Sequence, residues 1–351
     1  MDWIAEAQRG SPRAVARLIT QVENHTTAAQ SVVRALYAAT GRAHVAGITG
    51  PPGSGKSSLV NELAKAFRRR DHRVGIVAVD PSSPFTGGAI LGDRVRMRDL
   101  SGDEGIFVRS MASRGSLGGL ARGAAAAVKV LDAAGYDVIL IETVGAGQAE
   151  VDIATTAHTT VVLEAPGMGD DVQSIKAGIL EIADVLVVNK ADQPGAGRVA
   201  KSLEMMLHLG LETAVPDRHH SDGDQAAGAP RSAETADTRP SAGHWTVPVL
   251  QTVATTGQGV DELASAISRH GEHLRATGGW AAREWARSRD EIEHLLRARF
   301  MDRLDALLPA DERRDMIRAV VERRLDPYAA ADHLFTLATA ALAVDTARPL
   351  P

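Results

Sequence analysis

The sequence predicts an α/β fold, with a mostly parallel sheet covered by helices on both faces. Three observations carry that expectation. Short β-rich runs, His44–Thr49, Val74–Val79, Val138–Ile141, Thr159–Leu163 and Val185–Val188, alternate with stretches of helical apolar spacing at Leu120–Ala134, Ser174–Ile182 and Arg198–Leu209. Each run leads into a polar or glycine-rich stretch. The junction Gly50-Pro51-Pro52-Gly53-Ser54-Gly55-Lys56-Ser57, between His44–Thr49 and a helical pattern over Ser58–Phe67, matches G-x-x-x-x-G-K-[ST] without a mismatch.

A chain of 351 residues holds either two domains or one large α/β domain with helical additions. Hydrophobic residues make up 44% and aromatic residues only 3%, so the core is expected to be aliphatic. The net charge of −5 lacks the basic footprint of a nucleic-acid binder. With no cysteine, disulfides, thiolate metal sites and cysteine nucleophiles are excluded, and a reducing cytosol fits. The opening MDWIAEAQRG has no apolar signal core, and no run reaches the roughly 18–20 apolar residues that span a bilayer. The expectation is a soluble, cytoplasmic protein without nucleic-acid or membrane partners.

Ahead of the sheet, residues 1–42 read as a helical extension of two short helices. Ile4, Ala7, Val15, Leu18 and Ile19, then Val32, Val33, Leu36 and Tyr37, recur at near-helical intervals, and Ser11-Pro12 suits a cap and first-turn proline. Residues 43–278 read as the α/β domain. Within it, Pro216–His244 contains no Leu, Ile, Val, Phe or Met and is expected to be a mobile insertion, with His219 and His220 solvated. A strand at Val247–Val253 and a helix at Val260–Ser268 close the domain. Residues 279–351 read as helices at Ala281–Leu308, Ala310–Leu325 and Ala329–Ala343. Leu295, Leu296, Phe300, Leu304, Leu307 and Leu308 form an apolar stripe, which packs on the domain or on a second subunit.

The motif at Gly50–Ser57 has the chemistry of an anion cradle. Its glycines let backbone N–H groups curl round a phosphate, and the following helix contributes its positive end. Lys56 is expected to reach the β- and γ-phosphates, and Ser57 to join a magnesium shell, with Ser58 next to it. Asn189-Lys190-Ala191-Asp192 follows a strand and reads N-K-x-D. Asp192 can accept hydrogen bonds from the N1–H and 2-amino groups of guanine, whereas adenine would leave that carboxylate unpaired. Lys190 packs along the ring, Asn189 ties the loop together, and Ala254-Thr255-Thr256 supplies a second wall.

Asp80 and Glu142 end strands, and Asp80 opens a Gly/Pro-rich loop to Asp93. Carboxylates there are hard oxygen ligands for Mg2+, although a single strand-end acid also suits a helix cap. The glycine-rich segments after Asp80, after Glu142 and at Ala165–Gln173 are candidate switches that a γ-phosphate would order. Lys176 reads equally as a bridge between switches or a solvated helix charge. Gln148 is a candidate to orient water, and Arg94, Arg96, Arg98 and Arg114 are candidate arginine fingers.

Taken together, GPPGSGKSSL, VDPSSPFTGGAILGDRVRM, ETVGAGQAEVD, EAPGMGDDVQSIKAGILEIADVLVVNKAD and VATTGQGVDEL resemble the methylmalonyl-CoA mutase-associated GTPases. That family is similar to the human methylmalonic aciduria type A protein and was long labelled an arginine/ornithine transport ATPase family. The resemblance covers about Ala43 to Ser268 and runs more loosely into both helical flanks. It implies a SIMIBI-class P-loop GTPase, a homodimer through the C-terminal helices, that protects an adenosylcobalamin-dependent acyl-CoA mutase and gates its cofactor loading. It implies GTP and GDP as substrate and product, with Mg2+; bound cobalamin is not assigned to this chain. Carried onto this sequence, Lys56 and Ser57 hold phosphate and metal. Asp80, Asp93 and Glu142 are metal and switch acids, and Asn189, Lys190 and Asp192 read the base. The segment Ala165–Lys176 resembles the switch that answers the mutase. Two rival readings are a metallochaperone GTPase, which the absence of cysteine disfavours, and a transport-linked ATPase or kinase, which N-K-x-D disfavours. A degenerate nucleotide module conflicts with the intact lysine, serine and acids.

Overall fold

The computed structural model describes residues 2–23, 27–81, 98–100, 102–113, 119–143, 153, 155–167, 180–213 and 243–346. They divide into two compact units, Met1–Arg283 and Glu284–Pro351.

The first unit is built on a parallel sheet. Its strands in chain order are β1 (His44–Thr49), β2 (Val74–Pro81), β3 (Ile106–Ser113), β4 (Val138–Thr143), β5 (Thr159–Glu164), β6 (Val185–Val188) and β7 (Val249–Gln251), arranged β3-β2-β4-β1-β5-β6-β7 with parallel pairing throughout. Central strands read as continuous apolar runs because both faces are covered. Alternate residues feed different layers. Val45, Val77, Val79, Ile139 and Ile141 join one core, whereas Ala46, Ile48, Val74, Ile76, Val138 and Leu140 join the other. Burying each large aliphatic side chain contributes roughly 1.5–3 kcal/mol.

The first core is roofed by α1 (Trp3–Gln8), α2 (Pro12–Glu23), α3 (Thr27–Leu36) and α5 (Gly119–Ala133). The second is roofed by α4 (Lys56–Arg68) and α7 (Val260–Thr277). A third cluster sets Val162, Leu186 and Val188 against Ala196, Ala200 and Leu203 of α6 (Ala196–Thr213).

The N-terminal segment forms three helices rather than the two expected. Proline has no N–H to continue a helix but suits its first turn, so Pro12 separates α1 from α2. Ser11 Oγ there accepts from the Ala14 N–H at 3.4 Å, as the sequence suggests. The strand β3 was not anticipated. It lies at the sheet edge, where one side needs no apolar pairing, and its Arg109 instead pairs with Glu23 of α2. The helix α7 outruns its expected end at Ser268. Its stripe continues Leu263, Ile267, His270, Leu274, and a histidine in a core position reads as polar in sequence.

The helix α8 (Gly279–Leu307) starts in the first unit and continues into the second, which also contains α9 (Ala310–Val321) and α10 (Pro327–Thr346). Within that second unit Ala319, Ala330 and Ala338 are buried. Leu295, Leu296 and Phe300 of the expected stripe are exposed, as are Ile317, Val321 and Phe335.

Candidate active site

Strand order reverses at β1: β4 and then β2 lie on one side of it, β5 and then β6 on the other. Open α/β sheets leave a crevice at such a point, beyond the carboxyl ends of the strands. The segment Gly50–Gly55 occupies that place, between the end of β1 and the start of α4.

Two glycines give this loop its course. Gly50 has φ +142°, and a Cβ there would collide with the Leu163 carbonyl oxygen at the end of β5. Gly55 has φ +93°, and a Cβ there would collide with Asn189 Nδ2. No other residue type combines that backbone with that clearance. Lys56 folds back over the loop, its ammonium donating to the carbonyls of Gly50 at 2.8 Å and Pro51 at 2.9 Å. Ser54 is wholly buried, and its Oγ has no hydrogen-bond partner among the described residues. A buried orphan hydroxyl costs about 1–3 kcal/mol, and a phosphate oxygen is a group that would satisfy it.

Ser57, in the first turn of α4, donates its hydroxyl to Glu142 Oε1 at 2.5 Å. Both are buried. Register puts Glu142 opposite Ile48 of β1 and Ala78 of β2, so Asp80 lies two residues further along β2, next to its last residue. A hydroxyl and a carboxylate converging at a phosphate loop are the hard oxygen donors that Mg2+ takes, with water and phosphate completing the shell. The residues present therefore fit that ion.

At the other end of the crevice, Asn189 is a structural tie. Its Nδ2 donates to the Ser54 carbonyl at 2.8 Å. Its Oδ1 accepts from Thr252 Oγ1 at 3.1 Å and from the Ala254 N–H at 3.2 Å. Donors on one side and an acceptor on the other fix which way the amide points. The Ala191 N–H donates to the Thr252 carbonyl at 3.0 Å, so the N-K-x-D loop and Ala254–Thr256 lie side by side. Lys190 takes a left-handed φ of +56°. Asp192, Thr255 and Thr256 are exposed.

Sequence reasoning missed Thr252. It is fully buried, one residue beyond β7, and it orients Asn189. A threonine two residues before the anticipated Ala254–Thr256 wall, where a strand ends, was the available signal. Asp93, Gln148, Lys176, Arg94, Arg96 and Arg114 lie outside the described residues, as do residues 214–242 and 168–179.

Comparison with known proteins agrees with this geometry. The profile of the family described as "Methylmalonyl Co-A mutase-associated GTPase MeaB" matches residues 15–307. A Pyrococcus abyssi protein carrying a GTPase name is 46% identical over 331 residues, covering 94% of each chain. The mouse methylmalonic aciduria type A homolog, a mitochondrial protein, is 44% identical over 146 residues, covering 42% of this chain and 35% of its own. A solved structure of an LAO/AO transport system kinase superposes with a TM-score of 0.65 at 25% identity, covering 95% of this chain and 96% of the other. A phosphate loop at the switch point of a parallel sheet, tied to an N-K-x-D loop, defines a P-loop GTPase. The chain belongs to the methylmalonyl-CoA mutase-associated GTPase family.

Proposed function

We propose that this GTPase is a chaperone of an adenosylcobalamin-dependent acyl-CoA mutase, methylmalonyl-CoA mutase in the first instance, which it protects and whose cofactor loading it gates. The observation that carries the reading is the tie from Ser54 through Asn189 to Ala254. It fastens the loop that would cradle phosphate to the loop that would read the guanine base. Family membership supplies the mutase. The protein acts in the cytoplasm as a homodimer through its C-terminal helices, whose exposed Leu295, Leu296 and Phe300 would be covered by the second copy.

In this reading Gly50–Ser58 wrap the phosphates, Asp192 accepts from the guanine edge, and Lys190 with Ala254–Thr256 walls the ring. Lys56, once released from the loop carbonyls, neutralises the β- and γ-phosphates. Ser57 and Glu142, with Asp80 and Asp93, would hold Mg2+, which would supply charge neutralisation at the transferring phosphoryl group. Gln148 orients the attacking water. The water oxygen bonds to the γ-phosphorus as the bond to the β–γ bridging oxygen breaks, and the proton it loses passes to solvent, giving GDP and inorganic phosphate. Positioning and charge account for the rate, since the protein forms no covalent bond. Lys176 and the segment from Ala165 report the γ-phosphate to the mutase.

The test is capture of the mutase by the tagged full-length protein with a non-hydrolysable GTP analogue and with GDP. Retention of a cobalamin-dependent acyl-CoA mutase that changes between the two nucleotides is expected. Equal retention in both states, or none, would sink the chaperone reading.

A further inference from the structure

At the opposite end of the sheet from the phosphate loop lies a buried polar chain that the GTPase site does not use. It starts from His44, the first residue of β1, passes through Thr159, the first residue of β5, and ends at Asp184, immediately before β6. His270 of α7 and Arg283 of α8 complete it. His44, His158, Thr159, Asp184 and His270 are all buried.

The bonds run in order. His44 Nε2 lies 2.7 Å from Thr159 Oγ1, which lies 2.8 Å from His270 Nδ1. His270 Nε2 lies 3.3 Å from Asp184 Oδ1. Arg283 grips the same carboxylate in a two-pronged pair, at 2.7 and 2.9 Å, and also donates to the His158 carbonyl at 2.5 Å. The Thr160 N–H donates to Asp184 Oδ2 at 2.8 Å. One residue from the start of α8, Trp280 stacks on His158 with ring centres 3.6 Å apart, and Arg275 covers Trp280 at 3.9 Å.

These partners dictate where the protons sit. A carboxylate only accepts, so His270 Nε2 carries the hydrogen that faces Asp184. Burial, the largest influence, holds His270 neutral, and the Asp184 charge opposes that only in part. Its Nδ1 is then an acceptor. The Thr159 hydroxyl, with one hydrogen, must donate to it and accept from His44 Nε2. Were Asp184 to draw away, that constraint would lapse and the order could reverse, with His270 Nδ1 donating to Thr159 and Thr159 to His44. The chain therefore has two arrangements, and Asp184 selects between them.

The strands that start on this chain are those whose far ends carry the site. β1 runs into Gly50, β5 into Ala165–Gly167, and β6 into Asn189. Each crosses the sheet in four to six residues, about 13–20 Å. We propose that the His44–Thr159–His270–Asp184–Arg283 chain is a conformational latch, which seats the first turn of α8 on the starts of β1, β5 and β6 so that nucleotide state and the seating of α8 bias each other. This rests on the nucleotide reading of the crevice. Coupling of this kind is reciprocal and is typically a factor of about 5–150.

Hydrogen exchange of the full-length protein tests it, followed in peptides covering residues 278–290, with saturating GDP and with a saturating non-hydrolysable GTP analogue plus Mg2+. The wild type is expected to show at least about a fivefold difference in exchange between the two states. Arg283→Gln, at a partly exposed side chain, and Thr159→Val are expected to reduce it below about twofold, with Thr159→Ser restoring it. Equal exchange of the wild type in both states overturns the latch, and so does a difference that survives in Thr159→Val and Arg283→Gln. Nucleotide binding is measured on the same samples. A wild type that binds neither nucleotide overturns the crevice reading itself, and with it the latch.

Discussion

Ser57 Oγ donates to Glu142 Oε1 across 2.5 Å and so joins the first turn of α4 to β4. The bond holds a hydroxyl and a carboxylate where an ion bound beside the phosphates would find both. Glu142→Gln preserves shape and removes the charge. It is expected to leave GDP affinity within a few-fold of wild type while lowering GTP turnover by on the order of 10²-fold, the usual cost of losing one aligned electrostatic contact at developing charge. Turnover and GDP affinity measured across a Mg2+ series separate the two effects. Wild-type turnover in the variant at every Mg2+ concentration would remove Glu142 from the machinery.

Asp192 is exposed at the mouth of the crevice, on the loop that Asn189 fastens to Ser54. Asp192→Asn exchanges an acceptor for a donor opposite the 2-amino group of guanine. Xanthine presents a carbonyl there, so the variant is expected to lose about 10- to 100-fold in GDP affinity and to gain affinity for XDP, consistent with one unpaired polar group of about 1–3 kcal/mol. Competition between GDP and XDP on both proteins decides it. A variant with unchanged guanine preference would place the base elsewhere.

How much of this was legible depends on how locally each feature is encoded. The strand–loop–helix around Gly50–Ser57 was readable because a short β-rich run, a glycine loop and an amphipathic helix follow one another in the chain. Asn189–Asp192 was readable for the same reason, as a motif placed at a strand end. The edge strand β3 was not, because Arg109 and Ser110 interrupt its apolar pattern and Arg109 finds its partner Glu23 some 86 residues away. Thr252 was missed because its importance lies in one bond to Asn189, 63 residues distant. Least legible of all was the His44–Thr159–His270 chain, whose members stand 115 and 111 residues apart and look individually like unremarkable polar residues. Only the fold brings them together, because the parallel sheet sets the first residues of β1 and β5 side by side at one end of the strands and α7 packs His270 against them.

That buried histidine pair also predicts how stability follows pH. His44 is lowered from an ordinary 6.5 to about 3, first by burial and then by the nearby His158, Arg275, His270 and Arg283. His270 is lowered from 6.5 to about 4, first by burial, with Asp184 opposing and Arg283 and His273 adding to the shift. Between the folded and unfolded values, the unfolded chain binds a proton that the native one refuses, so stability rises with pH there and is lost as pH falls. The window opens near 6.5 and closes near 4 for His270 and near 3 for His44. Inside it each histidine costs roughly 1.4 kcal/mol per pH unit. Carboxylates titrate over the lower part of the same range, so the informative quantity is a difference between proteins. Urea unfolding at intervals from pH 7.5 to 4.5 is expected to show a shallower loss of stability in His270→Asn than in wild type, even though the variant starts from a lower value at pH 7.5. Parallel curves for the two proteins would mean that His270 takes up its proton over the same pH range folded as unfolded, and the buried neutral imidazole on which the hydrogen order rests would have to be given up.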